Sequence, residues 1–147
     1  MPEQIPPHPD EMIRDNIELS EDAALVAALA GTAMSFSHSA EDQAERWLRA
    51  IRLHGEVGTA LQALGVGEAA LAPPDHSDES PPLGAEAVDR VVKQARVHAS
   101  ARQAPLVCTA DLMVALFDVY GDLMDDALRQ RGASREELLE RLDTASC

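Results

Sequence analysis

The sequence contains few of the residues that build disulfide frameworks or aromatic cores. Phe, Trp and Tyr together make up 3% of the chain, and only two residues are cysteine, Cys108 and Cys147. Two cysteines give neither a disulfide framework nor the spacing of metal ligands, and a cysteine in an apolar segment commonly packs as a small hydrophobe. We therefore expect Cys108 to be a buried free thiol and the chain to be cytoplasmic.

Basic charge is also scarce. The chain has 12 Lys and Arg residues against 26 Asp and Glu residues, which gives a net charge of -14. A charge of this sign repels a phosphate backbone and an anionic membrane surface. The N-terminus lacks the basic start and apolar run of a signal peptide, and no apolar stretch approaches the about 18 residues of a membrane-spanning helix. We expect neither nucleic acid nor a membrane as a partner.

The local excess of basic residues falls in the second half of the chain. Arg90, Lys93 and Arg96 have helical spacing and lie on one face of a predicted helix, and Arg102 follows. Two interpretations stay open. The face is either simply solvated, which is the commoner case, or it is a docking patch for an acidic partner.

Alanine and leucine dominate the apolar residues, and this mixture favours helix, so we predict an all-α fold. Apolar steps of three and four residues, with capping residues and stop signals, place the boundaries. Ser134 and Glu137 form a capping box, and Gly55 is interpreted as a helix stop. The predicted helices cover residues 21–34, 40–53, 57–64, 85–101, 110–120, 123–131 and 134–143, with a short helical turn at 68–71.

The two halves of the chain repeat one pattern. A shift of 65 residues superimposes Ala23 to Ile51 on the second half with apolar residues in register, for example Trp47 on Leu112. A shift of 67 residues then superimposes the segment that contains Gly65 on the segment that contains Gly132. The organisation we predict is an N-terminal arm at residues 1–20 and one domain at 21–147, made of repeat 1 (21–73), a proline-bearing linker (74–84) and repeat 2 (85–143).

The repeated pattern resembles the N-terminal domain of Clp-family unfoldases. The strongest match is PLVCTADLMVALF, from Pro105 to Phe117, followed by ALRQRGASREELLERL; in the first half AERWLRAI, from Ala44 to Ile51, is a weaker match. The resemblance spans residues 21–143. It implies eight helices in two four-helix repeats related by a pseudo-twofold axis, and periodicity alone indicates only a helical bundle.

Catalytic motifs are missing from the sequence. The single lysine, Lys93, does not belong to a phosphate-binding loop, and the five histidines form neither a His-Glu-x-x-His pair nor a cluster with metal-ligand spacing. A Cys108 nucleophile with His98 as its base is a weaker interpretation than a structural thiol. The acidic segment DLMDD at residues 122–126 lacks the alternating ligands and central glycine of a calcium loop. We expect no enzyme, no cofactor and no metal.

The candidate binding residues come from the resemblance. In Clp unfoldases that recognise phosphorylated arginine, the Glu of each Thr-Glu-His segment helps to bind the guanidinium group. At the matching positions this sequence has Glu45 in the first half, and Thr109 followed by Ala110 in the second. Asp111 neighbours the lost glutamate but points about 100° away from it on a helix. The resemblance thus implies a peptide or phosphoarginine-like site at Glu45, Thr109 and Asp111.

The sequence leads us to expect a non-catalytic protein-interaction module, acting as an adaptor, a decoy or a substrate receptor of a Clp protease system. Its expected partners are a Clp unfoldase or the substrate proteins and peptides of that system, and the acidic surface favours basic segments. The alternative is a resistance protein that binds or sequesters a small molecule, such as a natural product, in the groove between the repeats.

Overall fold

A computed structural model describes residues 17–37, 39–66 and 84–143, and this part of the chain confirms the all-α class. The turn predicted at 68–71 and the linker at 74–83 lie outside the described residues. No helix in the described ranges is long and apolar enough to cross a membrane. Seven helices are present there: α1 (Glu21–Met34), α2 (Ala40–Ile51), α3 (Gly55–Ala63), α4 (Gly84–Ala101), α5 (Thr109–Tyr120), α6 (Asp122–Arg129) and α7 (Arg135–Asp143).

Short polar side chains start three of the helices. Ser20, Ser39 and Ser134 each accept a hydrogen bond, at 3.1–3.2 Å, from the backbone N–H three residues later. Such caps satisfy backbone donors that have no partner inside the helix. The boundaries of α1 are those predicted, and Ser134 pairs with Glu137 as expected.

The interpretation of Gly55 as a helix stop was wrong. Helix α2 ends at Ile51, and Gly55 is the first residue of α3. Its φ of +66° is a conformation that residues with a side chain rarely adopt, so glycine is needed here to turn the chain into the next helix. The same residue type therefore serves a different end of a helix from the one that the pattern indicated.

The core forms where the helices of the two halves pack on each other. Helices α1 and α4 pack together, α2 packs against α5 and α6, and α3 packs against α5 and α7. Many of the apolar residues that match between the halves lie in this core. Fully buried examples are Val26, Ala30, Trp47, Leu48 and Ile51 in the first half and Val91, Ala95, Leu112, Met113 and Leu116 in the second.

The segment before α1 is attached to the loop before α5. Ser20 N donates to Val107 O at 2.8 Å, and Val107 N donates to Glu18 O at 2.9 Å. Arg96 of α4 donates from Nε to the carbonyl of Ile17 at 3.1 Å. On the predicted basic face of α4, Arg96 thus holds the segment before α1, whereas Lys93 is exposed to solvent.

Candidate functional site

A cavity of about 580 Å³ opens at the N-terminus of α5. We call it the α5 cavity. Its walls come from the loop between α4 and α5, the first two turns of α5, the first turn of α3 and the end of α7. The apolar lining consists of Ala104, Pro105, Leu106, Cys108, Ala110, Val114, Leu139 and Leu142, and the charged lining of Glu56, Arg102, Asp111 and Asp143.

The N-termini of α3 and α5 cap each other at this cavity. Glu56 in the first turn of α3 accepts a hydrogen bond from Ala110 N at 2.7 Å. In return the hydroxyl of Thr109 on α5 accepts one from Val57 N at 3.3 Å. Each helix thereby satisfies a backbone donor of the other, and the Glu56 carboxylate lies at the positive end of α5. We refer to these two bonds as the reciprocal cap.

The reciprocal cap depends on the absence of a side chain at Gly55. A Cβ placed there would lie 2.5 Å from the hydroxyl oxygen of Thr109 and 2.8 Å from its methyl carbon. Thr109 itself is fully buried. The fit between Gly55 and Thr109 therefore fixes the position of Glu56 relative to the start of α5.

Arg102 and Asp111 form the second polar element of the cavity wall. Asp111 is 3% exposed, and its carboxylate accepts hydrogen bonds from Arg102 Nε at 2.8 Å and from the terminal guanidinium nitrogen at 2.6 Å. It also accepts one from Cys108 N at 2.9 Å. The hydrogen bond with Asp111 raises the pKa of Arg102 above its ordinary value, partial burial opposes this, and the negative charges of Asp111 and Glu56 add to it. Arg102 stays charged and is already engaged by Asp111.

The cavity lining is acidic on balance. Three carboxylates and one guanidinium line it, and the guanidinium is bound to Asp111. The N-termini of two helices add positive charge, but only about half a unit each. Glu56 and Asp143 are therefore the groups that can contact a cation, and the apolar lining can contact an aliphatic or aromatic group beside it.

The structure separates the three binding residues that the sequence predicted. Thr109 and Asp111 lie together at the start of α5, where Thr109 belongs to the reciprocal cap. Glu45 on α2 does not line the α5 cavity and instead pairs with Arg131 in the loop after α6. The side chains of this pair are 13% and 4% exposed, so the pair joins the two halves inside the protein.

The structure also shows the surroundings of Cys108 and His98, which the sequence offered as a weaker nucleophile and base pair. Cys108 is disulfide-bonded, which corrects the expectation of a free thiol. The ring of His98 contacts the carboxylate of Asp118, and Gln94 donates to the same carboxylate at 3.1 Å. His98 is therefore held by one α5 residue, Asp118, on the outer surface.

The acidic segment at the start of α6 takes part in ion pairs. Asp125 accepts two hydrogen bonds from the guanidinium of Arg135 at 2.8 and 2.9 Å. Asp126 pairs with Arg129 at 2.7 Å. Within the described ranges no group of three His, Cys, Asp or Glu side chains could hold a metal ion.

A buried polar contact joins α2 to the end of α5. The hydroxyl of Tyr120, which is 8% exposed, donates to the side-chain oxygen of Gln43 at 2.9 Å. Burial raises the pKa of Tyr120 to about 12, and the nearby Trp47 and Arg90 side chains oppose that rise. A small pocket of about 110 Å³ lies beside this contact, lined by Ala40, Gln43, Ala87, Arg90, Val119, Tyr120 and Leu123.

Sequence reasoning missed Glu56, the residue that completes the α5 cavity. Glu56 and Ala110 are 54 residues apart, and no local pattern indicates that one caps the other. The first turn of α5 has a carboxylate of its own, Asp111, so the local sequence carried no signal for a second one from α3.

No family model, no curated protein and no solved structure matches the chain.

Proposed function

We propose that this chain is a non-catalytic protein-interaction module of the Clp N-terminal-domain type, which acts as an adaptor, a decoy or a substrate receptor for a Clp protease system. The α5 cavity is the surface through which it binds its partner. The observation that carries the proposal is the composition of this cavity, where apolar walls stand beside carboxylates in excess over basic groups. A few polar groups in a mostly apolar cavity are typical of binding sites.

The two-repeat architecture is part of the proposal, and the turns after α3 and α6 support it. Gly65 and Gly132 have φ values of +80° and +82°. The N–H of the next residue, Val66 or Ala133, donates to the carbonyl five residues earlier at 2.9 and 3.0 Å. The packing of α2 on α6 is mirrored by that of α3 on α5, as a pseudo-twofold axis between the halves requires.

One feature of the helices opposes perfect symmetry. Under the shift of 65 residues the start of α2 at Ala40 corresponds to Pro105, but α5 begins at Thr109, one turn later. Proline and the loop at residues 102–108 replace the first turn of the helix. The loop forms a wall of the α5 cavity, so the departure from symmetry is also what creates the candidate binding surface.

The partner that fits the α5 cavity is a peptide segment with a basic side chain between apolar ones. Glu56 and Asp143 provide carboxylates for an ammonium or guanidinium group, and Leu106, Val114 and Leu139 provide apolar contacts. The net charge of -14 adds a long-range attraction for basic segments, and this attraction weakens as salt increases. In this proposal Glu56 takes the role that the resemblance gives to Glu45, because Glu45 is engaged by Arg131.

Small-molecule sequestration is the second candidate function. The cavity volume of about 580 Å³ lies within the range of about 300–1,000 Å³ that is common for small-molecule sites. An apolar organic cation would meet the same walls and carboxylates as a peptide. A thermal-shift screen of natural products separates the two candidates, since a ligand of the native state raises the melting temperature.

The direct test uses the immobilised full-length chain with purified Clp unfoldase from the same organism, and separately with an unfolded substrate protein. We expect one of the two to be retained, and retention to fall when Glu56→Gln removes the charge but keeps the hydrogen-bond acceptor for Ala110 N. Glu140→Gln, an exposed position on α7 outside the cavity, is the matched control. Retention of neither protein by a correctly folded sample would remove the proposal.

A further inference from the structure

Helix α1 has apolar side chains on two opposite sides. On the core side the buried residues are Ala23, Val26, Ala30 and Met34. On the solvent side Leu25 and Leu29 are 44% and 43% exposed, and Phe36, in the turn after the helix, is 65% exposed. Together with Thr32 these residues follow steps of three and four, so they share one side of the helix, which we call the α1 face. A helix that is apolar all round is normally buried, and an exposed apolar patch commonly marks a contact with another molecule.

The α1 face is also uncharged. Residues 23–40 contain no Asp, Glu, Lys or Arg, although charged residues make up 26% of the chain. The polar residue on the face is Thr32, whose hydroxyl donates to the carbonyl of Ala28 at 3.3 Å. Thr32 can therefore be buried in a contact without losing its hydrogen bond. The occupant that suits this face is apolar and uncharged.

Membranes and basic peptides do not suit the α1 face. The net charge of -14 repels an anionic membrane, and helices that bind membrane surfaces are typically rich in Lys and Arg on their polar side. A basic peptide, the partner proposed for the α5 cavity, finds no carboxylate among Leu25, Leu29, Thr32 and Phe36. The described lining of the α5 cavity comes from elements other than α1. The α1 face is therefore a separate surface with an occupant of its own.

The spacing of the α1 face makes it complementary to itself. In an antiparallel pair of α1 helices, a twofold axis beside residues 30 and 31 places Leu25 of each copy near Phe36 of the other. The same axis places Leu29 of each copy near Thr32 of the other. Both copies then use the same surface, as a twofold contact between identical chains requires. A second copy of this chain thus supplies an apolar, uncharged face of matching length.

The charges at the start of α1 favour the antiparallel arrangement. Glu21 and Asp22 form the acidic first turn of the helix. A parallel pair would bring the four carboxylates of two copies together, and like charges at this distance repel each other. An antiparallel pair keeps the two acidic turns at opposite ends of the contact.

We propose that the α1 face joins two copies of this chain in an antiparallel dimer with twofold symmetry. Helix α1 has 14 residues and is about 21 Å long. A contact along one helix of this length is smaller than the about 800 Å² per partner of a standard interface, so the dimer is weak and forms reversibly as concentration rises. The contact lies outside the α5 cavity, and the proposal does not depend on the proposed function.

The first test measures mass against concentration. Sedimentation velocity of the full-length chain is recorded from about 1 μM to about 1 mM. We expect the mass to rise from 15.8 kDa toward twice that value. The rise should begin at lower concentration when salt is increased from about 0.01 M to about 0.15 M, because salt screens the repulsion between two acidic chains. A mass of 15.8 kDa throughout, or a dimer that salt weakens, would overturn the proposal.

The second test places a charge on the α1 face. Leu29→Glu puts an unpaired carboxylate into the contact in both copies and should raise the dimer Kd by about tenfold or more. Leu29 is largely exposed in the single chain, so the variant should fold, and an unchanged Tm checks this. Leu53→Glu, at an exposed leucine in the turn after α2, is the matched control. Equal dimer Kd values for the two variants contradict the proposal, as does an unfolded substrate held through Leu29 by a chain that stays monomeric.

The third test determines the orientation of the two helices. Leu25→Lys and Phe36→Glu each place a charge at one end of the contact, and each variant alone should dimerise more weakly than the wild type. In an antiparallel pair the new ammonium of one variant lies beside the new carboxylate of the other. We therefore expect an equimolar mixture to associate about threefold more tightly than either variant alone. A mixture that associates no more tightly than the single variants would rule out the antiparallel dimer.

Discussion

The two halves of the chain start their central helices in different ways. Helix α2 is capped locally, because Ser39 accepts a hydrogen bond from Asp42 N at 3.1 Å. Helix α5 has a local contact, in which Asp111 accepts a hydrogen bond from Cys108 N at 2.9 Å, and in addition one from another helix, in which Glu56 accepts a hydrogen bond from Ala110 N at 2.7 Å. A local cap requires only its own sequence, whereas the contact of Glu56 requires the surrounding fold. The candidate binding surface lies at the N-terminus of α5, where the contact with Glu56 depends on the tertiary fold.

The ends of the following helices are alike in the two halves. Gly65 and Gly132 close α3 and α6 with the same backbone conformation, and the residue after each is buried. Apolar positions and glycine turns thus remain matched between the halves, while the polar groups at the helix starts differ. The matched positions are thus those that pack in the core or turn the chain, and the unmatched ones are the polar groups that start the helices.

The largest loss of stability is expected at the ion pair between Glu45 and Arg131, which connects the two halves. Arg131→Ala leaves the Glu45 carboxylate, which is 13% exposed, without its partner. Loss of one member of a buried ion pair typically costs about 3–5 kcal/mol, and we expect urea denaturation to show a loss of this size. The control Arg129→Ala removes a guanidinium that is 65% exposed and should cost about 1 kcal/mol or less. A similar small loss for both variants would show that the pair does not hold the halves together.

The second largest loss of stability is expected at the contact between Gly55 and Thr109, which positions Glu56. Gly55→Ala places a Cβ 2.5 Å from the Thr109 hydroxyl at a φ of +66°. We expect a loss of about 3 kcal/mol in the free energy of unfolding, from the clash together with the strained backbone. Gly65→Ala has a similar φ but no atom within 4 Å and serves as the control. Equal losses in the two variants would mean that the fit to Thr109 contributes nothing.

The sequence predicted what local interactions determine. The boundaries of α1 follow from Ser20 and from the apolar steps behind it, and both are visible within a few residues. The same reasoning was wrong for Gly55, because its conformation serves a contact with Thr109 in a different helix. Glu45 and Arg131 are 86 residues apart in the sequence. Because only the tertiary structure brings them together, the sequence could not predict that Glu45 is paired. The serine caps and the apolar stripes are local or periodic, whereas the reciprocal cap and the α5 cavity are neither.

A smaller loss of stability is expected at the turns with Gly65 and Gly132, and it should be the same at both. Gly65→Ala and Gly132→Ala each place a side chain in open space at a positive φ. The cost is then the left-handed conformation alone, about 1–2 kcal/mol. Thermal denaturation of both variants should give the same decrease in Tm. A difference larger than the error would show that the two turns are not equivalent.

The smallest effect at neutral pH comes from Tyr120, which joins α2 to α5. Its pKa in the folded protein is about 12, above the ordinary value of 10.0. The unfolded chain therefore loses this proton first, so stability is unaffected below about pH 10 and decreases as the pH rises toward 12. Tyr120 is the only tyrosine, and phenolate absorbance reports its titration directly. A midpoint near 10 in the folded protein, or an unchanged pH dependence in Tyr120→Phe, contradicts this expectation.

Binding of a basic, apolar peptide to the α5 cavity is the most direct measurement. Fluorescence anisotropy of a labelled peptide of alternating Leu and Arg is recorded with wild-type protein, with the double variant Glu56→Gln and Asp143→Asn, and with Glu140→Gln. Loss of two charge-assisted contacts should weaken binding by about tenfold or more, while Glu140→Gln binds like the wild type. Added salt should weaken wild-type binding more than binding by the double variant. Equal affinity of the three proteins for the peptide, with all three folded, would place recognition outside the α5 cavity.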